Sequence, residues 1–343
     1  MKFVIDSSIP FINGVFEPFA EVVYLDGAEI GCDDVRDADC LIIRTRTKCN
    51  ESLLEGSKVK MIATATAGME QIDIPWCKNR GIVVRNSPGC NAGGVMNYVF
   101  SALYGTASRK SIPLNGLTFG VIGCGNVGSR VSQMAMLLGF DVLICDPYRE
   151  RDEGGAVFCS MDHLLANSDI VSLHIPLNEE TKGLADAYFF SKMRYGAFFI
   201  NAAHGDIVIE DDLINAIPKL GPVILDTWSH EPDINTTLLS LVDIGTAHIS
   251  GYSYQSKVTS TKDVVRQVAR YFSISELYDF FPATDKNLEA VKIPIRDLDQ
   301  GGRTSIIQYN YPVFTDDFML RMNPEGFNEL RNNYQYRREF YTE

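Results

Sequence analysis

The feature that most constrains this chain is the segment Gly123-Cys-Gly125-Asn-Val-Gly128, which follows a strand-like run and opens a helix-like one. In that context Gly123 permits a tight turn, Gly125 lets the backbone approach a pyrophosphate, and Gly128 permits close helix packing. The helix amino terminus, at Asn126 and Val127, offers unpaired N–H groups to phosphates. The spacing therefore predicts a dinucleotide-binding α/β domain; a glycine-rich turn without a ligand is the alternative.

Asp146 ends the next strand-like run, 18 residues after Gly128. An acid at this point accepts hydrogen bonds from the adenosine ribose and repels a 2′-phosphate, so we expect NAD rather than NADP. Arg149 and Arg151 lie close enough in the sequence to keep NADP as an alternative. A turn acid without a ligand is the other interpretation of Asp146.

Short apolar runs of strand length alternate with helix-like segments in two groups, which indicates parallel sheets covered by helices on both faces. The first group is Lys2–Asp6, Cys40–Ile43, Lys60–Thr64 and Ile82–Val84. The second is Thr118–Ile122, Asp141–Cys145, Asp169–Leu173, Ala197–Asn201, Pro222–Asp226 and Ile244–Thr246. Long helices are expected at Asn91–Ala107 and Gln255–Phe272. The second unit is therefore predicted to be inserted into the first.

After Pro282 the sequence becomes charged and loop-like. It contains a strand-like run at Thr304–Asn310 and an aromatic, basic stretch at Leu330–Phe340. We expect a third, small domain here, with a contact between subunits.

The composition excludes several classes of partner. The 343 residues include 31 Lys+Arg and 44 Asp+Glu, a net charge of −13, with no basic run, so neither nucleic acid nor a membrane surface is expected as a partner. Eight cysteines without a C-x-x-C pair favour reduced thiols over disulfides or zinc. Acidic Asp6 near the amino terminus and the lack of an apolar run of about 18 residues lead us to expect a cytoplasmic location. Five histidines without paired ligand spacing predict no metal site.

Two side chains are candidates for acid–base chemistry. His248 follows the strand-like run at Ile244–Thr246, and Glu231 follows the end of the preceding one. Because ligands bind at the carboxyl ends of parallel strands, both groups can face one crevice. Imidazole accepts the proton that alcohol oxidation releases, and a carboxylate fixes its tautomer. The spacing alone leaves a catalytic pair and a structural hydrogen bond open; His163 and His174 are expected to be surface or supporting residues.

Several further segments carry a resemblance to a known family. They are Asn50-Glu-Ser-Leu-Leu54, Thr64-Ala-Thr66-Ala-Gly68, Pro88-Gly-Cys-Asn-Ala92, Thr246-Ala-His248-Ile-Ser-Gly251-Tyr252 and the tail Leu330–Phe340. With the glycine motif, they make the chain resemble the D-2-hydroxyacid dehydrogenases over essentially its whole length. The resemblance is closest to a branch with an added carboxy-terminal dimerisation domain.

The resemblance implies a fold with two doubly wound parallel-sheet domains and a small carboxy-terminal α+β domain. The expected bounds are 1–92 with 257–280 for a split substrate domain, 93–256 for an inserted Rossmann NAD domain, and 281–343 for the dimerisation domain. It also implies a homodimer that oxidises a small phosphorylated 2-hydroxy acid with NAD, as a step of pyridoxal 5′-phosphate synthesis.

The resemblance further implies roles for individual residues. His248 is the base and Glu231 its orienting acid. The residues that contact substrate are Thr45, Thr66 and Tyr252, and those that contact NAD include Asp146, Asp226 and Gly251. Arg44, Arg46 and Lys48 flank Thr45; they either bind the phosphate or form a solvated surface.

One position departs from the family. Its Asn-Ala-x-Arg-Gly segment reads Asn201-Ala-Ala-His204-Gly205 here. The family arginine, a third catalytic residue, grips the substrate carboxylate with a two-pronged fork, which histidine lacks, and histidine is charged only when protonated. Three interpretations follow: protonated His204 holds the carboxylate, a nearby arginine substitutes, or activity is lost. The rival functions are another dehydrogenase of the family, such as one acting on 3-phosphoglycerate, and an NAD-binding regulator without turnover.

Overall fold

The computed structural model describes residues 1–155 and 157–342, and its contacts divide the chain into two units. The first unit comprises residues 1–91 and 253–289, and the second comprises residues 92–252 and 290–343. The strands are β1 (Lys2–Asp6), β2 (Glu21–Leu25), β3 (Cys40–Ile43), β4 (Met61–Thr64), β5 (Val83–Arg85), β6 (Thr118–Ile122), β7 (Asp141–Cys145), β8 (Ile170–Leu173), β9 (Phe198–Asn201), β10 (Val223–Leu225), β11 (Ile244–Gly245), β12 (Val291–Ile293) and β13 (Phe340–Thr342). The helices are α1 (Cys32–Val35), α2 (Glu51–Leu54), α3 (Ile74–Asn79), α4 (Ala92–Arg109), α5 (Asn126–Leu137), α6 (Pro147–Glu153), α7 (Met161–Asn167), α8 (Ala187–Lys192), α9 (Glu210–Ala216), α10 (Thr236–Leu241), α11 (Tyr254–Phe272), α12 (Gln300–Asn310), α13 (Val313–Met322) and α14 (Phe327–Asn332).

The first unit is built on a parallel sheet with the strand order β2-β1-β3-β4-β5. Alternate side chains of a strand face opposite sides, so Phe3 enters one core cluster and Val4 enters another. Helix α11 covers the first face with Val264 and Val268, which lie one turn apart. Both faces are therefore buried, as predicted. The edge strand β2, whose residues are only partly buried, was not predicted.

The second unit contains a parallel sheet with the order β11-β10-β9-β8-β6-β7. A parallel bridge between Ile144 and Phe158 extends the edge beyond β7. With that bridge, the order is that of a doubly wound dinucleotide-binding domain, whose ligand crevice opens where the chain changes direction, here between β6 and β8. The predicted strand runs of both units agree with the structure within one residue at each end.

Helix α4 lies in the core of the second unit and is buried on nearly every side from Ala92 to Ala107. Its buried residues share a cluster with Phe119 of β6 and Val131 of α5. A helix buried all round is expected to be apolar all round.

None of the helices in the described residues combines the length and apolarity needed to cross a membrane.

The carboxy-terminal segment, residues 290–342, differs from the expectation in two ways. The run Thr304–Asn310 was predicted as a strand, and this is wrong: it lies in α12, which begins after the capping residue Asp299. In addition, the segment groups with the Rossmann unit, because Ile307 and Phe340 enter the same core cluster as α4. The segment is α+β, with β12 and β13 paired in parallel, and it packs as part of the second unit.

Candidate active site

The predicted catalytic and cofactor residues of the second unit follow the carboxyl ends of successive strands of one sheet. Because all these strands are parallel, their carboxyl ends share one edge. The glycine motif follows β6, Asp146 follows β7, His174 follows β8, His204 follows β9, Asp226 and Glu231 follow β10, and His248 follows β11. The structure thus brings residues from six loops to the edge where doubly wound sheets bind ligands.

The glycine motif forms the turn that the spacing predicts. Gly123 has φ +85°, a left-handed conformation that glycine adopts without strain. A Cβ at Gly128 would lie 1.9 Å from the Gly123 carbonyl oxygen, so α5 packs directly on the turn. A Cβ at Gly125 would meet no atom within 4 Å. The loop therefore has an open approach above Gly125 and unpaired N–H groups at the start of α5, which fit a dinucleotide pyrophosphate.

Asp146 connects this loop to the next strand. Its Oδ2 accepts a hydrogen bond from the Cys124 N–H at 2.8 Å, and its Oδ1 caps α6 through the Arg149 N–H at 3.1 Å. The Arg149 guanidinium donates to the Cys124 carbonyl at 2.7 Å and also pairs with Glu153. The carboxylate thus lies at the glycine loop; its contact with the ribose of NAD stays a prediction.

His248 and Glu231 form a hydrogen-bonded pair, called the dyad below. His248 Nδ1 lies 2.8 Å from Glu231 Oε2 and 3.1 Å from Oε1, and the side chains are 33% and 18% exposed. Burial opposes the ionised form of Glu231, but the charges of His248 and Arg331 and the hydrogen bonds from His248 and the Trp228 N–H outweigh it. The pKa of Glu231 therefore lies below its usual value. An ionised carboxylate only accepts, so Nδ1 carries the proton and Nε2 is left as the basic nitrogen.

The backbone around His248 is held by Asp226. His248 has φ +54°, in the left-handed region that few non-glycine residues adopt. Its N–H donates to the Asp226 carbonyl at 2.8 Å, and the Ile249 and Ser250 N–H groups donate to the Asp226 carboxylate at 2.8 and 2.9 Å. Asp226 is completely buried. Its observed role is to shape the loop that carries His248; its contact with NAD stays a prediction.

His204 lies at the turn after β9. The Asn201 side chain donates to the His204 carbonyl at 2.9 Å, which fixes the turn. A Cβ at Gly205 would lie 2.0 Å from the Trp228 carbonyl oxygen, so this turn packs against the segment that carries Glu231. The turn of His204 thus packs against the segment that leads to Glu231. At the position where the family has an arginine guanidinium, this chain has an imidazole.

The predicted substrate residues fall in both units. In the first unit, Thr45 follows β3 and Thr66 follows β4, neighbouring parallel strands whose carboxyl ends share an edge. The Thr66 hydroxyl donates to the Gly68 carbonyl at 2.8 Å. In the second unit, Tyr252 packs edge-to-face against Tyr334 at 6.0 Å between ring centroids. Gly251 precedes Tyr252 and directly follows Ser250, whose N–H group donates to Asp226.

Two of the three basic side chains near Thr45, those of Arg44 and Arg46, are already bonded to other residues. Arg46 pairs with Asp26 at 2.7 Å, and Arg44 donates to the Ser8 carbonyl at 3.2 Å. Lys48 is exposed. The phosphate-binding role of these residues stays a prediction.

His174 supports the cofactor loop from inside. Its ring donates to or accepts from the Ser172 hydroxyl through Nε2 at 2.9 Å, and its Nδ1 is buried without a partner in the described residues. A Cβ at Gly123 would lie 2.7 Å from the His174 carbonyl oxygen, so the two turns are in contact. Burial lowers the pKa of His174 to about 3. The side chain is therefore neutral at working pH.

This burial predicts a loss of stability in acid. Below the ordinary imidazole pKa of about 6.5 the unfolded chain binds a proton at His174 that the folded chain cannot bind until about pH 3, so stability falls throughout this window. Between pH 7 and pH 5 the loss is up to about 2 kcal/mol. We expect urea unfolding of His174→Asn to show a correspondingly smaller difference between these pH values. Equal differences in the variant and the parent would contradict the assignment.

Two arginines of the carboxy-terminal segment were not predicted as site residues. Arg331 of α14 lies 3.7 Å from Glu231 Oε2 through NH1. Arg337 donates to the carbonyls of Ile249 and Tyr252, both at 3.1 Å, and to that of Ser250. The sequence signal for both is the basic, aromatic stretch Leu330–Phe340, which by itself predicts only an oligomer contact. Within the described residues no cluster of His, Cys, Asp and Glu has the geometry of a metal site.

Comparison with known proteins agrees with this geometry. Residues 100–250 match the family described as "D-isomer specific 2-hydroxyacid dehydrogenase, NAD binding domain". An erythronate-4-phosphate dehydrogenase of Bacteroides fragilis is 38% identical over 346 aligned positions, which cover 99% of this chain and 97% of that protein. The expectation of a nicotinamide-dependent dehydrogenase is thereby confirmed at the level of the family.

Solved structures extend the agreement to the fold. The D-lactate dehydrogenase of Aquifex aeolicus, complexed with NAD and lactic acid, is 26% identical with a TM-score of 0.69, covering 83% of this chain and 100% of that one. The NAD⁺-bound 3-phosphoglycerate dehydrogenase of Entamoeba histolytica has the same identity and TM-score and covers 83% and 99%. The Bacteroides fragilis protein matches a larger share of this chain, at higher identity, than either of these two structures does. This chain therefore belongs to the erythronate-4-phosphate dehydrogenases, within the D-isomer specific 2-hydroxyacid dehydrogenase family.

Proposed function

We propose that this protein oxidises the 2-hydroxyl of 4-phospho-D-erythronate with NAD, giving 2-oxo-3-hydroxy-4-phosphobutanoate in the synthesis of pyridoxal 5′-phosphate. The observation that carries the chemistry is the 2.8 Å pair between His248 Nδ1 and Glu231 Oε2, at the same sheet edge as the glycine loop. The choice of substrate is supported by the identity to the Bacteroides fragilis enzyme across nearly the whole length of both chains.

The chain's own part in the reaction is proton transfer and positioning. The loop after β6 and Asp146 would hold NAD, which would supply the hydride acceptor. His248 Nε2 takes the hydroxyl proton as the carbinol carbon loses its hydride, and Glu231 stabilises the resulting imidazolium through Nδ1. Because the pKa of Glu231 is below its usual value, the carboxylate keeps its charge throughout the neutral range.

The substrate carboxylate needs a positive partner, which we propose is protonated His204. An imidazole binds a carboxylate well only while it carries its proton, so the KM for 4-phosphoerythronate is expected to rise with pH while the KM for NAD stays constant. His204→Ala should raise the substrate KM at low pH, and His204→Arg should make it independent of pH. Steady-state kinetics across the neutral range measure these trends. A pH-independent KM in the parent enzyme, or an unchanged KM in His204→Ala, would contradict this role.

The proposed function is tested by assaying the purified protein with NAD and either 4-phosphoerythronate or 3-phosphoglycerate. NADH formation is followed by absorbance, with a carbonyl trap to remove the oxo product. We expect turnover of the four-carbon acid and little of the three-carbon one, and a preference for NAD over NADP because the Asp146 carboxylate repels a 2′-phosphate.

Each of the other outcomes has a definite meaning. Turnover of 3-phosphoglycerate alone would move the assignment to another member of the family. Binding of NAD, measured by calorimetry, without turnover of either acid would favour a regulator. Equal turnover with NADP would contradict the role of Asp146.

We further propose that the protein is a cytoplasmic homodimer. All eight cysteines are free thiols, which supports a reducing compartment. Large apolar side chains are exposed on the carboxy-terminal segment: Phe318 and Met322 lie one turn apart on α13, with 59% and 68% exposure, and Tyr309 is 88% exposed. Such a surface suits a second copy of the chain.

A change of charge on this surface should separate the subunits. We expect light scattering of the parent protein to give about twice 38.2 kDa, and the double variant Phe318→Lys, Met322→Lys to give the single-chain mass, because lysines on both copies repel each other. Tyr195→Lys, at a residue 84% exposed outside this segment, is the matched control and should leave the dimer intact. A monomeric parent protein at micromolar concentration would refute the homodimer.

A further inference from the structure

The carboxy-terminal segment places a second cation on the carboxylate of the dyad. Arg331 NH1 lies 3.7 Å from Glu231 Oε2, the same oxygen that accepts the hydrogen bond from His248 Nδ1 at 2.8 Å. The side chains of Arg331 and Glu231 are each only 18% exposed. One carboxylate oxygen is therefore shared between an imidazole and a guanidinium.

The surroundings of Arg331 distinguish it from a surface ion pair. Its guanidinium lies 5.9 Å from the ring centroids of both Tyr252 and Phe327, and its Nε is buried without a hydrogen-bond partner in the described residues. A distance of 3.7 Å is too long for a good hydrogen bond, so Arg331 acts on Glu231 mainly through its charge. A guanidinium that is largely removed from water needs such a compensating charge.

We propose that Arg331 is a positioning residue for the dyad: its charge holds the Glu231 carboxylate against His248 and offsets part of the negative charge that faces the imidazole. This inference rests on the proposed function, because it assigns Arg331 to the same dyad. Two further charged groups contact the chain around the dyad. Asp226 binds the backbone after His248, and Glu210 accepts the Ser229 N–H at 2.9 Å.

The direction of the effect follows from the charges. Glu231 stabilises the imidazolium form of His248, and Arg331 offsets part of that negative charge. Without Arg331 the full charge of Glu231 acts on the imidazole, so His248 holds its proton to higher pH. The free base is then less available for the hydroxyl proton at neutral pH. Arg331→Lys keeps the charge and should keep the behaviour of the parent.

The direct test is an NMR titration of the histidine side chains in the NAD-bound protein. The signal of His248 is assigned by its loss in His248→Asn. We expect Arg331→Gln to raise the titration midpoint of His248 by roughly 0.5–1 pH unit, and Arg331→Lys to shift it by less than about 0.2. An unchanged midpoint in a folded Arg331→Gln protein would overturn the proposal. The measurement needs no turnover, so its failure is distinct from failure of the proposed substrate.

A kinetic cycle separates positioning from a general structural role. In the parent background Arg331→Gln should lower kcat at neutral pH by roughly 3–10-fold, with an unchanged KM for NAD. In a Glu231→Gln background the same change should lower kcat less than about twofold, because the carboxylate on which it acts is gone. Equal losses in both backgrounds would overturn the proposal. If the glutamine variant does not fold, Arg331→Met, which keeps the aliphatic packing against Phe327, replaces it in both tests.

Discussion

His248→Asn is expected to lower kcat by about 10²–10⁴-fold, the usual contribution of a positioned general base. Asparagine tolerates the left-handed backbone at this position, where φ is +54°, so the loop should be preserved. The amide cannot accept the hydroxyl proton, whereas the glycine loop that binds NAD is unaltered. Steady-state kinetics and calorimetric titration of NAD measure the two quantities separately.

The matched control for this prediction is His163→Asn. His163 is an exposed histidine of α7 that packs beside Asn167, away from the predicted site residues in the sequence. Its replacement should leave both kcat and NAD affinity unchanged. A His248→Asn enzyme that retained more than a tenth of the parent kcat would show that another group accepts the proton. Glu231→Gln should give a kcat between those of His248→Asn and His163→Asn, because it removes the charge that stabilises the imidazolium and leaves His248 in place.

Arg337→Met should lower the free energy of unfolding by about 3–5 kcal/mol, because several buried carbonyls lose their donor and each unsatisfied acceptor costs about 1–3 kcal/mol. Arg337 donates to the carbonyls of Gly94, Ile249 and Tyr252, each at 3.1 Å, and its guanidinium lies 3.9 Å from the centroid of the Tyr311 ring. Methionine fills part of the volume but leaves these carbonyls without their donor. Urea unfolding followed by fluorescence measures the change.

Arg337→Met should also lower the activity of the protein that remains folded. Three of the carbonyls that Arg337 holds, those of Ile249, Ser250 and Tyr252, follow His248 in the chain, so their release lets the loop that carries His248 move. Arg296→Met is the control, since Arg296 is an exposed arginine of the same carboxy-terminal segment and should change stability by less than about 0.5 kcal/mol. Similar losses in both variants would mean that the hydrogen bonds of Arg337 contribute little to stability.

The sequence predicted the parts of the fold that local pattern determines. Buried parallel strands are short apolar runs, and each run predicted for the two parallel sheets is a strand because both faces of each sheet are covered. The strand prediction for Thr304–Asn310 was wrong because two influences oppose each other. The β-branched and aromatic residues favour a strand locally, while the cap at Asp299 and the burial of Ile307 against α4 favour a helix. Only the tertiary contact decides between these two structures.

The site was predictable to the same extent. His248 and Glu231 were found because strand ends in a parallel sheet share an edge, a rule that needs only the order of strands and loops. Arg331 and Arg337 reach the site from a segment about a hundred residues later, through contacts that no local pattern encodes. The dyad could thus be predicted from the sequence, and the cations that support it could not.

The three hydrogen bonds that Asp226 accepts from consecutive backbone amides make the loop of His248 observable without any substrate. The N–H groups of His248, Ile249 and Ser250 all point to this one buried residue. An amide exchanges with solvent deuterium only when its hydrogen bond opens, so these three should exchange slowly and together. Their common exchange rate would report how often the loop leaves its working conformation, in the parent protein and in every variant, whether or not that protein turns over.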